Sequence, residues 1–319
     1  MRFLFWSITL QRRREEDKTG TVINHDMIDE CATSPLNEPP RGAVKVNPID
    51  GAEMVYVPAG EFVMGADDPY NLSLPHRVYL DGFWIYKNHV TVEQYRSFCE
   101  AEGRDVPSRA NGRWQDEHPI VWVTWNDAVA YADWANASLP TEAQWEKAAV
   151  GTDRRKFPWG NRWDPSRCVH SKDKLGDLGS TMPVGSCPSG ASPYGVLDMA
   201  GNVNDWCADR FDLDYYKVSP LRNPTGPATA SVKNEIRSVR GGDGTYHLPA
   251  FLRSARRNSL RQKRSYSVVG FRCAMAADDT EEQRMAARVI EGTWEDIKRY
   301  ESEIVGRHLR VTIFPSALP

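Results

Sequence analysis

Residues 160–230 are dense in glycine, proline, asparagine, aspartate and serine, and that stretch points away from any fold built on long helices. Each of these residue types favours turns for its own reason: a free φ, a fixed φ, or a side chain that bonds its own backbone. So long a run without periodicity inside a domain signals function or a bound ion. The 11 Trp, 21 Pro and 23 Gly among 319 residues extend this to a loop-rich fold pinned by large aromatics.

Ahead of that stretch the pattern is regular. Residues 54–65 are β-rich and broken by Pro58 and Gly60, which predicts a hairpin, and residues 76–86 predict a second strand pair. Three helix starts follow. Thr91, Thr124 and Thr141 each stand three residues before Gln94, Asp127 and Gln144, so each hydroxyl can cap a free N–H. The glutamines can cap back. Asp127 is expected to be too short for that, though its charge suits the positive helix end. The predicted helices span 92–102, 125–136 and 142–150, with Gly151 as a stop. Phe98, Tyr131, Trp134 and Trp145 are assigned to the core. Later strands are expected over 237–241 and 269–274.

Residues 1–48, with charge runs and Pro35, Pro39 and Pro40, form a partly disordered leader or linker in this scheme. Residues 49–277 are the main domain. Residues 278–319 are an appendage, with a helix or linker over 277–289, a helix over 293–305 and a strand over 308–314. One helix and one strand cannot bury a core alone, so the appendage must dock elsewhere. The formal charge of −3 gives no bulk attraction to nucleic acid or an anionic membrane. The apolar run at the start is too short to span a bilayer and lacks a small-residue cleavage site, which suits an edge or frayed segment. Six scattered cysteines without a CxxC pair fit a reducing, cytoplasmic setting.

The motifs then fall in one order: residues 57–65 (VPAGEFVMG), 90–95 (VTVEQY), 119–128 (PIVWVTWNDA), 139–146 (LPTEAQWE), 158–160 (PWG), 194–203 (YGVLDMAGNV), 240–242 (RGG) and 270–272 (GFR). Together, over residues 52–276, they resemble the formylglycine-generating-enzyme, or sulfatase-modifying-factor, family. The resemblance implies an α+β, C-type-lectin-like fold with short helices, little regular structure and many loops. It also implies copper-dependent oxidation of a cysteine within a sulfatase CxPxR sequence to formylglycine. The family carries two cysteines shortly after its Arg-Gly-Gly turn, and paired thiolates are soft ligands suited to Cu(I).

Set against that pattern, Tyr246 and Phe251 stand where the two cysteines would be. Asp243 replaces a serine and Gly244 an aromatic, and no cysteine lies between Cys207 and Cys273. Copper is therefore not expected. Cys273 matches a cysteine that in some members bridges to the preceding Tyr-Cys-x-Trp helix, but the partner position here is Ala132, so no bridge is expected. The family's calcium segment corresponds to residues 201–206, with backbone oxygens of Gly201 and Val203 and the Asp205 carboxylate as candidate Ca²⁺ ligands. The alternative is a turn whose carboxylate caps local N–H groups. A second family calcium site offers an asparagine where this chain has Cys168.

Without copper, Asp243, Tyr246, His247 and Phe251 are the candidate pocket. His247 can act as a base oriented by Asp243, or be a solvated loop residue. Arg253, Arg256, Arg257, Arg261, Lys263 and Arg264 either meet an acidic partner or phosphate, or turn inward onto carboxylates such as Asp198, Asp205 and Asp209. Whether such a chain is an enzyme is open at this point. The expectation is an accessory member that binds an unidentified protein or small molecule, not a membrane or nucleic acid. The alternatives are an active formylglycine-generating oxidoreductase, and the ligand-binding variable protein of a diversity-generating retroelement with a diversified segment over residues 243–269.

Overall fold

The computed structural model describes residues 6–11, 38–67, 74–108, 114–170, 181–228, 235–277 and 310–315. The chain divides into two compact units, residues 37–277 and the two termini together. In the terminal unit, β1 (Trp6–Gln11) pairs antiparallel with β12 (Arg310–Pro315), from Trp6 opposite Pro315 to Gln11 opposite Arg310. The helix expected over 293–305, and all but the first residue of the segment expected over 277–289, lie outside the described residues.

In the larger unit, β2 (Val44–Val46), β3 (Glu53–Val57), β4 (Gly60–Met64), β5 (His76–Leu80) and β6 (Phe83–Tyr86) come first. The strands fall where local alternation puts them, but the expected hairpins do not form. β3 pairs antiparallel with β2 and β6, and β4 pairs with β5. Pro58 cannot donate to a ladder, and Gly60 at φ 135 turns the chain out of the sheet. β6 is buried along its whole length and β3 over four of its five residues, as inner strands covered on both faces are. With β11 (Ala274–Ala276) they make a four-stranded sheet in the order β11-β6-β3-β2.

Three helices follow: α1 (Val92–Glu102), α2 (Trp125–Trp134) and α3 (Glu142–Val150). All three open on a complete capping box. Asp127 is long enough after all: its Oδ2 accepts the Thr124 N–H at 2.9 Å and the Thr124 hydroxyl at 2.6 Å. Gly103 ends α1 in the left-handed region, and Gly151, at φ 68, ends α3.

The second sheet has the order β10-β7-β8-β9, built from β7 (Asn204–Arg210), β8 (Ile236–Arg240), β9 (Asn258–Arg261) and β10 (Val269–Gly270). β10 runs parallel to β7 and the other pairs are antiparallel. β7 corrects the expectation that residues 160–230 hold no regular structure. Its Asn and Asp side chains are buried hydrogen-bonding groups, so their turn-forming types conceal a strand.

One core cluster joins Tyr56, Trp84, Phe98, Tyr131, Trp206 and Phe271; a second gathers Val55, Phe62, Trp145 and Tyr194. Tyr131 is the hub of the first, with ring centroids 5.3 Å from Phe271, 5.5 Å from Phe98 and 5.8 Å from Tyr95. Trp134 packs half-buried at its edge. Cys273 and Ala132 share that cluster, and Cys273 forms no disulfide.

Candidate functional site

The end of β8 is fixed by a buried ionic network. Glu142 and Glu146 lie one turn apart on α3 and so share a face. Arg240 donates to Glu142 at 2.9 Å, to Glu146, and to the Ser254 carbonyl at 2.7 Å. Arg257 donates to both oxygens of Glu142, at 2.8 and 2.9 Å. Burial would raise the Glu142 pKa, but the two guanidiniums outweigh it and hold the carboxyl at about 2. The basic run therefore splits. Arg257 turns inward onto Glu142 rather than onto Asp198, Asp205 or Asp209, while Lys263 pairs at the surface with Glu235 at 3.2 Å. Asp209 accepts the Glu142 N–H at 2.8 Å; burial, then the charge of Glu142, push its carboxyl up to about 8.

Asp205 lies in β7, fully buried, and accepts from Arg272 Nε at 2.9 Å and Trp145 Nε1 at 2.8 Å through Oδ2. Its Oδ1 lies 3.5 Å from His89 Nε2. Burial opposes ionisation, yet Arg272 and then His89 keep the carboxyl below the ordinary range. This setting does not fit calcium, which takes six to eight oxygen ligands. The carboxylate is already charge-balanced, and a ring nitrogen stands beside its second oxygen. Gly201, at φ 88, packs so closely that an added Cβ would lie 2.1 Å from the Val169 carbonyl oxygen.

The Arg240-Gly241-Gly242 turn needs its glycines. Gly241 and Gly242 have φ of 96 and 69, and a Cβ on Gly242 would meet the Phe251 carbonyl oxygen at 2.8 Å. Beyond it, the four candidate pocket residues separate. Tyr246 and Phe251 converge, with ring centroids 5.1 Å apart, and Arg256 lies over the Phe251 ring at 4.8 Å. Together with Asn204 and Asn258 they line a small cavity against the glycine turn. Burial, then the Asp243 charge, raise the Tyr246 pKa, so the ring is a neutral phenol. Asp243 is buried and committed: it accepts the Thr245 N–H and the Asn204 amide, both at 2.9 Å, and the Thr245 hydroxyl. His247 is exposed. The expected base and orienter are therefore not assembled, because Asp243 ties the turn to β7. Nor does the donor set fit copper(I), since two rings stand at the thiolate positions. The nearby Cys168 is one thiol, buried with Ala200 and Leu252.

Two features escape a reading of motifs alone. Glu142 and Glu146 anchor the site, and their four-residue spacing on a helix of mostly buried residues is the signal for it. Arg154, Arg155 and Lys156 line a cleft together with Arg253 and Arg256. Their cluster is visible in sequence, but not its neighbour.

Comparison with known proteins bears on this arrangement. The profile of the sulfatase-modifying factor enzyme 1-like domain matches residues 40–277. A serine/threonine-protein kinase pkn1 of Chlamydia caviae is 32% identical over 284 residues, 82% of this chain and 44% of that one. The chain thus spans less than half of that relative's length. The formylglycine-generating enzyme of Streptomyces coelicolor is 33% identical over 291 residues, covering 71% of this chain and 90% of that one. Among solved structures, PvdO from Pseudomonas aeruginosa superposes with a TM-score of 0.64 at 26% identity, over 75% of this chain and 100% of that one. Short capped helices, one antiparallel and one mixed four-stranded sheet and the glycine turn after β8 are thus the α+β, lectin-like fold of those proteins, and the chain belongs to the sulfatase-modifying-factor, or formylglycine-generating-enzyme, family.

Proposed function

We propose that this chain is a binding or accessory member of the family and not a copper oxidase. The observation that carries this is the Tyr246–Phe251 ring pair at the positions of the two thiolates. A phenol and a phenyl ring are poor donors to a soft cuprous ion, and neither carries the thiolate chemistry that oxygen activation would draw on. What they offer instead is an apolar, stacking surface beside the Arg256 guanidinium. The chlamydial kinase supports the same view, since the matched region is 44% of that protein and so sits within a larger one. A reducing, cytoplasmic setting goes with this proposal. Cys273 sits in a core cluster whose helix offers Ala132 where a bridge would need a second thiol. No helix among the described residues is long and apolar enough to cross a membrane.

The test is a copper(I) titration with oxygen consumption followed on a CxPxR peptide. The expected outcome is no tight copper site and no peptide-dependent oxygen uptake. Tight copper binding together with peptide oxidation overturns the proposal. A Tyr246→Cys/Phe251→Cys double variant is expected to gain copper(I) affinity, because it restores two soft donors to one turn.

A further inference from the structure

A cavity of about 190 Å³ lies at the start of α1. Residues 51–53 line it from the chain entering β3, Asn88 and His89 from the chain leaving β6, and Val184 from a distant loop. It shares no lining residue with the small cavity at the glycine turn. The helix end beside it is saturated. The Thr91 and Gln94 N–H groups close the capping box, and those of Val92 and Glu93 reach the His118 and Asp116 carbonyls. An anion drawn to a helix N-terminus therefore finds no donor in that turn. Glu53 is paired with Lys87 at 2.8 Å, so it offers an ion no counter-charge either.

Two polar atoms of the lining residues are buried with no hydrogen-bond partner among the described residues, His89 Nδ1 and Asn88 Oδ1. His89 is 1% exposed. Its other ring nitrogen, Nε2, lies 3.3 Å from Arg272 Nη2 and 3.5 Å from Asp205 Oδ1. A guanidinium can only donate, so a neutral ring accepts at Nε2 and carries its proton on Nδ1. A ring holding a second proton, toward Asp205, carries one on Nδ1 as well. A proton on Nε2 alone would set it against the Arg272 N–H. His89 Nδ1 is thus a buried donor and Asn88 Oδ1 a buried acceptor. Each bears its full desolvation cost while it goes unanswered, and the cavity is larger than a single water needs.

The pair selects among occupants. A carboxylate can accept from Nδ1 but meets Asn88 Oδ1 with lone pairs. An ammonium can donate to Asn88 Oδ1 but turns its protons on the Nδ1 N–H. A neutral group that both donates and accepts answers the two atoms together. A hydroxyl does so through one oxygen, a primary carboxamide through two atoms on one rigid plane. We infer that this cavity binds a small molecule bearing a primary carboxamide. Its N–H donates to Asn88 Oδ1 and its carbonyl accepts from His89 Nδ1, while Ala52 and Val184 supply apolar surface for the rest of it.

An NMR titration of the full chain, with ¹⁵N-labelled histidine, tests this with propionamide. Propionate, propylamine and 1-propanol serve as controls of similar size. Propionamide is expected to saturate and to shift one imidazole Nδ1 resonance, and each control to bind at least about tenfold more weakly. Asn88→Leu, at a half-buried position, is expected to keep its melting temperature and lose at least about tenfold in affinity. Val184→Trp, which adds bulk at the cavity and touches neither polar group, is expected to show the same loss. Absence of saturable propionamide binding means that water alone fills the cavity and overturns the inference. A control that binds as tightly as propionamide overturns it too, as does binding that either variant leaves unchanged. The copper titration concerns other residues, so either proposal can fail without the other.

Discussion

Arg240, Arg257 and Arg272 are buried cations, and each has a carboxylate within 2.9 Å. Removing one partner of such a pair leaves an uncompensated charge, at a cost of about 3–5 kcal/mol. Glu142→Gln, which strands Arg257 and leaves Arg240 with Glu146 as its one remaining carboxylate, is expected to lose stability in that range in urea denaturation. Asp205→Asn is expected to lose a comparable amount, and by the same amount in chelator as in excess calcium, because Arg272 and Trp145 rather than a metal hold the carboxylate. Stabilisation of the parent chain by calcium, absent in Asp205→Asn, would refute that assignment. Asp209 gives a pH signature. It keeps its proton in the folded chain up to about pH 8 but in the unfolded chain only below about pH 4. Between those limits folding takes up a proton, so stability falls as pH rises, by at most about 1.4 kcal/mol per unit. Glu142 has the opposite sign. Its folded value of about 2 lies below its ordinary 4.5, so its contribution is complete above that value and is lost as the medium is acidified toward 2. Asp209→Asn is therefore expected to flatten the decline between about pH 4 and about pH 8 and leave the acid limb in place. Melting temperatures across that range decide it.

The elements differ in how far the sequence determines them. The helix starts were readable, because a threonine and its partner three residues on carry a capping box in a local string, although α2 stops at Trp134, two residues before the expected end. Even the shorter Asp127 closes its box. α3 has most to lose from its cap, since it delivers Glu142 and Glu146 to the network. Thr141→Ala is expected to cost about 1 kcal/mol, seen as a lower urea midpoint with an unchanged slope. Strand pairing was not readable. Alternation places β3 and β4 but says nothing of partners, and the decisive neighbours β6 and β11 come from elsewhere in the chain. β7 was hidden for a different reason: Asn204 and Asp205 are turn formers by type but serve here as buried hydrogen-bonding groups, for Asp243 and Arg272. The turn just before β7 is less forgiving than any cap. Gly201→Ala is expected to destabilise more than Thr141→Ala, because the new methyl would fall onto the Val169 carbonyl at a positive φ.

The candidate site follows the same division between local and assembled features. Tyr246 and Phe251 were identifiable because the family resemblance, anchored on the Arg-Gly-Gly turn, sets them at the positions of its two cysteines. The Asp243–His247 pairing was not, because four residues of irregular chain leave orientation to whatever hydrogen bonds compete, and Thr245 and Asn204 win Asp243. The basic cleft is an assembled feature outright, since residues 154–156 and 253–256 are far apart in the chain and are brought together at the Ser254–Lys156 bond. All three buried clusters draw their residues from 43–277, and the family match covers 40–277. The core, the ionic network and both walls of the cleft therefore belong to the larger unit, and the β1–β12 pair belongs to the other. A chain trimmed to residues 37–277 is accordingly expected to unfold in one cooperative urea transition. Urea transitions that no longer coincide between fluorescence and circular dichroism on trimming would refute that assignment.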